Sequence, residues 1–541
     1  MYLEVVDNLQ RFTELRDDWE SVYRADPDAH FFLSWTFMRE WIGRLEGPWF
    51  ILAAKRAAEA NCEAFFPLRV RTKERQNGEF FNEINMAGNY FADYTGFICR
   101  PESAEQAIAH FAAHVRQLHW ANLRLENVRA SRERLAVFLR HFPEKKFKVV
   151  ELERINQPEN INNCICPAVR LPSDWDTFLN GNLGSETRRT IKRFMKRVEE
   201  SDEFRITHAN AETIERDLKI LLQLWAAQWG GRKGERLQTI LSSNFKMLSR
   251  CFAVGSLFLP VMWKGDTPVG AQATFVDPVK RTLHAYMGAR DESFGKPSPG
   301  IVLHAHSIRY AIENGFTTYD FLRGNESYKY SFGAEEHRIA CIVVSTHDGA
   351  NLGVRLDPRS VPEVLQRAVK RHESGKLAEA ERAYRQVLDV EPKNAQALYC
   401  FAQLMATKGN HAAAKRLFKA LLAIKPDSCK IWIRLAQSLE ARRQFAEAAQ
   451  AYREIIKRQP DYFPAHRGLG LMLLKLRRHA EAVHAFESAL ALKPSDAASE
   501  QGLARAIEAL GPVRTPGPLA RNGHYNQERA GRSGPPRTWL N

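Results

Sequence analysis

Apolar positions in residues 1–345 alternate between two spacings, and this alternation predicts a mixed α/β region. Apolar residues three and four apart predict helices, whereas short runs of β-branched and aromatic residues predict strands. In the first half we predict helices at 18–22, 35–45 and 105–118 and strands at 50–54, 64–70, 93–99 and 123–128. In the second half we predict helices at 175–179, 185–199, 213–228, 237–252 and 299–314 and strands at 257–262, 269–275, 282–288 and 317–321. The similar order of elements predicts two copies of one unit.

The last third of the chain carries a repeat with a period of 34 residues. Prolines recur at this spacing, and the same spacing holds for three further series of apolar residues. The series are Pro392, Pro426, Pro460 and Pro494; Tyr384, Phe418, Tyr452 and Phe486; Ala380, Ala414, Ala448 and Ala482; and Leu388, Leu422, Ile456 and Leu490. This pattern resembles tetratricopeptide repeats (TPRs), helix pairs that bury their small and aromatic residues by stacking. We expect about four repeats over 361–494 and a capping helix over 496–510.

Composition divides the chain further. Gly375 and Gly409 lie between the two helices of their repeats, and arginines replace them later. Gly349, Gly353 and Pro358 indicate a linker over 347–360, and the Gly-, Pro- and Arg-rich residues 511–541 predict a disordered basic tail. The predicted domains are therefore an N-terminal half (1–165), a C-terminal half (166–346), this linker, the TPR region (361–510) and the tail.

The net charge and the placement of the cysteines restrict the class of protein. The chain has 78 Lys and Arg against 63 Asp and Glu, a net +15 that favours anionic partners. The cysteines are scattered, so we expect reduced thiols. Neither a signal peptide nor a stretch long and apolar enough to span a membrane is visible, and we expect a cytoplasmic protein. Motifs for metal catalysis, serine hydrolysis and nucleotide P-loops are missing from the sequence.

The start of the predicted helix at 299–314 is the leading candidate for a binding site. A helix that begins with Pro299 and Gly300 leaves unpaired N–H groups in its first turn. Ser298, Gly300 and Ile301 can therefore present backbone N–H groups to a diphosphate, and the helix dipole favours the negative charge. Arg290 and Lys296 would add positive charge. The alternative is an ordinary helix start capped by Ser298.

Other candidate residues lie on the neighbouring strands and on the segment after them. Gly270 and Gln272 belong to a strand of small side chains that can pair with a donor or support an oxyanion; the alternative is a close-packed central strand. Asp320 is a candidate proton acceptor, or else the partner of Arg323 or another basic side chain. Tyr328 is a candidate proton donor to a leaving thiolate. Lys329 is a candidate anion ligand, although Tyr and Lys are common on exposed loops.

Two further groups have ordinary alternatives. His304 shares a helix face with apolar residues and is interpreted as a packed histidine. The helix at 185–199 carries a basic band, which can hold a nucleic acid, a nucleotide-linked substrate or anionic lipid, or can simply be solvated. The band consists of Arg188, Arg189, Lys192, Arg193, Lys196 and Arg197.

The order of elements from residue 175 to 332 resembles a known family. Three strands, a Gly/Pro turn, a helix and then Tyr319-Asp320-Phe321-Leu322-Arg323-Gly324, followed by Tyr328-Lys329, are similar to acetyltransferases of the cellulose-biosynthesis CelD type. These belong to the GNAT superfamily and are related to the FemAB aminoacyl transferases. The resemblance implies tandem GNAT-like domains and an acyl-CoA or aminoacyl donor, with a site that includes Arg323. The family's Gln/Arg-x-x-Gly-x-Gly/Ala loop is replaced here by the run from Arg290 to Gly300, which differs in spacing.

Three hypotheses follow. The first is an acyltransferase that moves an acyl group, such as acetyl, from acyl-CoA to an amine or hydroxyl. The resemblance implies an acceptor, such as a saccharide, in exopolysaccharide or cell-envelope synthesis, and the TPRs imply a protein partner. The second is a FemAB-like transferase that uses aminoacyl-tRNA. The third is a TPR scaffold whose GNAT-like part is inactive.

Overall fold

A computed structural model describes residues 1–88, 91–200, 202–295 and 298–511. The chain divides into two compact units, Met1–Ala397 and Leu398–Asn541. The predicted basic tail lies outside the described residues except for Gly511. The described residues confirm a mixed α/β region followed by an all-helical region, as the spacing of apolar residues predicts.

Two large sheets form the α/β region. The strands that contribute to the first sheet are β1 (Tyr2–Val6), β2 (Trp49–Lys55), β3 (Cys62–Glu74), β4 (Phe80–Met86), β5 (Ile98–Cys99), β6 (Asn122–Val128), β7 (Phe147–Glu151) and, much later in the chain, β18 (Ala340–Thr346). The strands β8 (Ile155–Asn156) and β9 (Ile161–Asn162) form a small hairpin. The second sheet holds β10 (Ile165–Arg170), β11 (Phe204–His208), β12 (Leu257–Phe258), β13 (Pro260–Lys264), β14 (Thr267–Asp277), β15 (Thr282–Arg290), β16 (Thr318–Asp320) and β17 (Glu335–Arg338). Of the strand predicted over 93–99, only β5 is formed.

The two sheets have the same topology and exchange one strand each. The first follows the order β1-β2-β3-β4-β6-β18-β7, and the second follows β11-β13-β14-β15-β16-β10-β17. Each contains one parallel pair, β4 with β6 and β15 with β16. β10 follows the first half in sequence and joins the second sheet, whereas β18 follows the second half and joins the first. β18 therefore lies inside the predicted C-terminal half (166–346) but belongs to the sheet of the first half. The domain boundaries themselves stay a prediction.

Helices cover the sheets and separate the cores. The helices of this region are α1 (Leu9–Glu14), α2 (Arg16–Ala25), α3 (Trp35–Ile42), α4 (Ala104–Val115), α5 (Arg132–Leu139), α6 (Trp175–Gly181), α7 (Ser185–Glu200), α8 (Ile214–Lys233), α9 (Leu237–Ala253), α10 (Pro299–Glu313) and α11 (Ser327–Tyr330). One apolar core joins the halves, since Trp19 and Phe31 of the first belong to the same cluster as Leu221 and Phe275 of the second. A separate core lies beneath α10.

The repeat region consists of paired helices. These are α12 (Val361–Glu373), α13 (Leu377–Val390), α14 (Ala395–Thr407), α15 (His411–Leu422), α16 (Cys429–Ala441), α17 (Phe445–Arg458), α18 (Phe463–Lys475), α19 (His479–Leu492) and α20 (Ala497–Leu510). The turns within four pairs each hold a residue with positive φ, namely Gly375 (77°), Gly409 (73°), Arg443 (56°) and Arg477 (58°). The repeat therefore imposes a left-handed backbone at these positions whichever residue is present. None of the described helices combines the length and apolar character needed to cross a bilayer.

The segment predicted as a linker is pinned to the first sheet. The side chain of Asn351 accepts a hydrogen bond from Asn82 N (2.9 Å), and the Asn82 side-chain oxygen accepts one from Asp357 N (2.8 Å). The first repeat is attached as well, because Gln386 on α13 exchanges two hydrogen bonds with the backbone of Phe80 on β4 (3.0 and 2.9 Å). Residues 351–390 are therefore anchored on β4.

Candidate functional site

The second sheet has a gap where β15 and β16 stop pairing, and we call this gap the cleft. The two strands are paired from Thr282–Thr318 to His284–Asp320, after which β16 ends and β15 continues to Arg290. The chain after β16 stays bonded to β10, the partner of β16 on its other edge, with Gly324 N donating to Ile165 O (2.8 Å). Residues 285–290 of β15 therefore have a strand partner on one edge only among the described residues.

A β-bulge lies at the point of separation. Thr274 of β14 faces Ala285, whereas the preceding Ala273 faces Met287, so that Tyr286 is an extra residue on β15. A bulge leaves one residue out of the ladder and redirects its polar groups, and bulges are frequent beside active sites. Two residues further along, Gly288 is exposed, and a methyl group added to it would meet no atom within 4 Å. The face of the sheet beside the unpaired edge of β15 is thus open at Gly288.

The start of α10 lies beside this edge. Ser298 occupies the N-cap position, Pro299 is in the first turn, and the Ser298 side chain makes no capping hydrogen bond. The first-turn N–H groups, which include those of Gly300 and Ile301, thus have no side-chain cap from Ser298. The Arg290 guanidinium lies 3.7 Å from the position of a Cβ on Gly300. The structure thus brings together four predicted anion-binding residues; the fifth, Lys296, lies outside the described residues.

Gly270 and Gln272 do not have the role that the sequence predicts for them. β14 is paired with β13 and β12 on one edge and with β15 on the other, so its backbone has no free edge to offer a donor. The Gln272 side chain is buried and donates to Tyr319 Oη (2.6 Å). A Cβ on Gly270 would lie 2.7 Å from that of Pro299. The alternative, a close-packed central strand, describes β14, and the free edge belongs to β15.

The loop after β16 is held by its own charged residues. Arg323 donates to Asp93 of the first half (2.7 Å). Lys329 is buried, not exposed, and donates to the carbonyls of Arg323 and Gly324 (both 2.9 Å). Lys329 therefore shapes the loop and offers no free ammonium to an anion, which corrects its predicted role.

Tyr328 keeps a position suited to its predicted role. Its ring stacks on His304, with centroids 5.4 Å apart, and 37% of the residue is exposed. Burial and Glu326 raise the pKa of Tyr328, and Arg290 acts in the opposite direction. The phenol therefore carries its proton at neutral pH beside the start of α10, and its use as a proton donor stays a prediction.

Asp320 lies at the vertex of the cleft and is fully buried. It accepts hydrogen bonds from Tyr94 Oη (2.9 Å), Arg129 Nη1 (3.1 Å) and Leu322 N (2.8 Å). Burial would raise the pKa of this carboxyl, but the charge of Arg129 and the hydrogen bond from Leu322 N act to hold it below its ordinary value. The alternative of a salt bridge with a basic neighbour is thus observed, with Arg129 as the partner and not Arg323. A carboxylate so stabilised is a weak base.

The first half of the chain supplies residues that sequence reasoning missed. Tyr94 and Arg129 come from loops of the first half, and Tyr94 Oη also lies 3.1 Å from His337 Nε2 on β17. No local pattern distinguishes these residues, because they lie about two hundred positions from Asp320. The site is therefore composite, with the cleft in one half and polar groups from the other at its vertex.

The backbone at the vertex is strained. Leu322 has φ of 60°, a conformation that large side chains rarely adopt. It places the Leu322 amide on Asp320, two residues earlier. Strain of this kind concentrates at functional sites, since the surrounding structure must hold it in place.

The remaining predicted groups lie around α10 and α7. His304 is half-buried, its Nδ1 lies 2.9 Å from Tyr319 Oη, and burial lowers its pKa to about 3, so it is a packed neutral imidazole. On α7, Arg188 is half-buried, whereas the other residues of the basic band are exposed. A cavity of about 380 Å³ between α7, β11 and α10 contains His208 and His306, whose Nε2 atoms are 2.7 Å apart.

Family models match both regions. A model described as an acetyltransferase (GNAT) domain matches residues 185–330, which include the cleft, α10 and the loop after β16. Two tetratricopeptide repeat models match residues 371–428 and 433–497. The chain thus contains a GNAT-type acetyltransferase domain and a C-terminal TPR region, and the predicted fold class is confirmed.

Comparison with solved structures gives weaker likenesses. The crystal structure of MamA protein shares 22% sequence identity with this chain. The matched region covers 28% of this chain and 83% of the MamA chain, with a TM-score of 0.27. The crystal structure of FemX shares 11% sequence identity with this chain. The matched region covers 64% of this chain and 97% of the FemX chain, with a TM-score of 0.43. No curated protein sequence matches the chain.

Proposed function

We propose that this chain transfers an acyl group, in the first instance acetyl, from acyl-CoA to an amine or hydroxyl acceptor. The observation that carries the proposal is the separation of β15 from β16 beside a helix start whose N-cap side chain makes no cap bond. The matched acetyltransferase domain spans the same residues. Together these features supply an anion site and an unpaired strand edge in one cleft.

Each part of an acyl-CoA has a corresponding feature in this cleft. The N–H groups of Gly300 and Ile301, with Arg290 beside them, suit the diphosphate. The free edge of β15 suits the amides of the pantetheine arm, and the redirected backbone at Tyr286 suits the thioester oxygen. The acceptor attacks the thioester directly, and Tyr328 donates a proton to the leaving thiolate.

The wider role is proposed from the resemblance and the repeats. We place the reaction in the cytoplasm, with a saccharide or related acceptor in exopolysaccharide or cell-envelope synthesis. The TPR region would bind a protein partner. These assignments name classes of acceptor and partner only.

Calorimetry with the full chain tests the donor. Acetyl-CoA should bind, and Arg290→Ala should weaken binding about tenfold, since it removes a charge beside the diphosphate. Arg205→Ala, an exposed arginine on β11, is the matched control and should leave binding unchanged. The absence of both binding heat and a thermal shift at millimolar acetyl-CoA would contradict the proposal.

A second candidate, transfer from aminoacyl-tRNA, is favoured by the exposed basic residues of α7. This candidate predicts tRNA binding that falls at least about tenfold between 50 and 200 mM salt, because counterions are released from phosphates. Lys192→Ala combined with Arg193→Ala should reduce that binding. Acetyl-CoA binding with no tRNA binding would eliminate this candidate, and failure of both donors would favour a scaffold with an inactive GNAT-type domain.

A further inference from the structure

His284 occupies the vertex of the cleft without any hydrogen-bond partner. It is the last residue of β15 that pairs with β16, directly opposite Asp320, and it is 1% exposed. Neither of its ring nitrogens has a partner within the described part of the chain. An unsatisfied buried polar atom destabilises the fold, so a histidine kept here without partners needs an explanation.

The surroundings of His284 keep its ring neutral. The ring centroids of Phe31 and Phe32, from the first half, lie 6.2 and 6.0 Å from that of the His284 ring. Burial lowers the pKa of His284, and the nearby carboxylates only partly oppose this effect. The charged and titratable groups that influence it are Asp277 on β14, Asp320 on β16, His337 on β17, and Asp93, Arg129 and His30 from the first half.

We propose that His284 is the catalytic base of the acyl transfer, and this proposal rests on the function proposed above. Asp320 is the other candidate at the vertex, but hydrogen bonds occupy both of its oxygens. His284 has a free lone pair at the same place. Ala285 and Tyr286, which follow it at the bulge, are only partly buried, so the fully buried stretch of β15 ends at His284.

The proposed step is balanced without a further reactant. The acceptor nitrogen or oxygen forms a bond to the acyl carbon while its proton moves to a ring nitrogen of His284. The C–S bond then breaks, and its electron pair leaves with the sulfur. The thiolate takes a proton from Tyr328, and the His284 proton returns to Tyr328 through solvent, which restores both residues.

The test compares His284→Gln with the wild type by donor binding and by turnover. Acetyl-CoA is the donor, and ethanolamine is the probe acceptor because it carries both an amine and a hydroxyl. The variant should bind acetyl-CoA as the wild type does, whereas CoA release should fall about 10²–10⁴-fold, the usual contribution of a general base. His114→Gln is the matched control, because His114 on α4 also has a buried unpartnered nitrogen and a pKa lowered by burial.

The pH profile separates a base from a structural histidine. Apart from the alkaline limb that protonation of the ethanolamine amine causes, wild-type turnover should show a second, acidic limb below the pKa of His284. The neutral ring is the active form, and this pKa lies under its ordinary 6.5. The variant should lack this acidic limb. An acidic limb that persists unchanged in His284→Gln would overturn the proposal.

Outcomes for His284 and for the proposed function are distinguishable. Turnover within twofold of wild type, with donor binding intact, eliminates His284 as the base and leaves the acyltransferase proposal standing. Failure of the wild type to bind acetyl-CoA removes both proposals. If His284→Gln does not fold, or if ethanolamine is not a substrate, ¹⁵N NMR of wild-type imidazoles decides: a neutral ring at pH 7 that responds to acetyl-CoA supports the base, and a charged or unresponsive ring overturns it.

Discussion

Two glycines on adjacent strands determine which space in the cleft is filled and which is open. Gly270 on β14 lies against α10, where a Cβ would be 2.7 Å from that of Pro299 and 3.2 Å from Leu303 Cδ1. Gly288 on β15 has no atom within 4 Å of such a Cβ. The first glycine lets the helix approach the sheet, and the second leaves the face of β15 open beside its unpaired edge.

Alanine at these two positions should therefore separate stability from binding. Gly270→Ala should lower the free energy of unfolding by about 1–3 kcal/mol, because the helix must move away from the strand. Gly288→Ala should leave this free energy almost unchanged but should weaken acetyl-CoA binding. Urea unfolding and calorimetry measure the two effects, and equal binding by wild type and Gly288→Ala would argue against a donor along β15.

At the scale of elements, the first turn of α10 is less stable than a capped helix start but leaves its backbone N–H groups available to an anion. Ser298 is at the N-cap position but leaves the first-turn amides without a side-chain acceptor. A helix start without a cap loses about 1 kcal/mol of stability relative to a capped one. This loss is explained if the amides are kept available for an anion.

Ser298→Asp should consequently have opposite effects on stability and on function. An aspartate that caps the helix should raise the free energy of unfolding by about 0.5–1 kcal/mol. The same carboxylate should weaken acetyl-CoA binding, because it occupies the amides and repels the diphosphate. Ser298→Ala is the control and should change neither quantity much. Tighter binding by the aspartate variant would exclude this helix start as the diphosphate site.

The turns of the later repeats make a second prediction for elements. Arg443 and Arg477 adopt the left-handed backbone that glycine provides in the two earlier turns. A non-glycine residue in this conformation costs about 1 kcal/mol, so Arg443→Gly and Arg477→Gly should each raise the stability of the repeat region by about that amount. Thermal unfolding checks the result, and Gly409→Ala should have the opposite sign. Loss of stability in both variants would mean that contacts of the arginine side chains stabilise the repeats by more than the left-handed backbone costs.

At the scale of the whole α/β region, the exchange of β10 and β18 makes each sheet depend on the other half of the chain. β18 lies between β6 and β7, and β10 lies between β16 and β17. Removing either strand would leave buried edges without partners. The halves should therefore unfold together.

Hydrogen exchange can test this coupling. Val344 is fully buried in β18, within the core of the first sheet. Val344→Ala should lower stability by about 2 kcal/mol and should speed exchange about 30-fold, both in β3 and at Ala271 of β14 in the other sheet. Val279→Ala, a half-exposed residue in the turn after β14, is the control. Faster exchange confined to the first sheet would show that the halves open independently.

Local patterns in the sequence predicted much of this architecture but not the vertex of the site. The 34-residue period predicted the helix pairs, and α7 and α10 matched their predicted spans closely because amphipathic spacing and the Pro299 start are local signals. The strands that were missed are β1, β4, β7, β8, β9, β10, β11, β17 and β18, since short strands have a weak period. Tyr94, Arg129 and His284 meet only through pairing between distant segments. Lys329 and Gln272 were assigned wrongly because burial, which decided their partners, is not visible in a single sequence.

The attachment of residues 351–390 to β4 affects how the chain can be divided for study. A fragment that ends near residue 350 would leave the Asn82 side chain without the Asp357 amide and Phe80 without both bonds from Gln386. Such a fragment carries every residue of the cleft and yet lacks part of the support of its own first sheet. Low activity in it would report a damaged scaffold rather than a missing partner, so a cut after α13 is the sounder choice for isolating the α/β region.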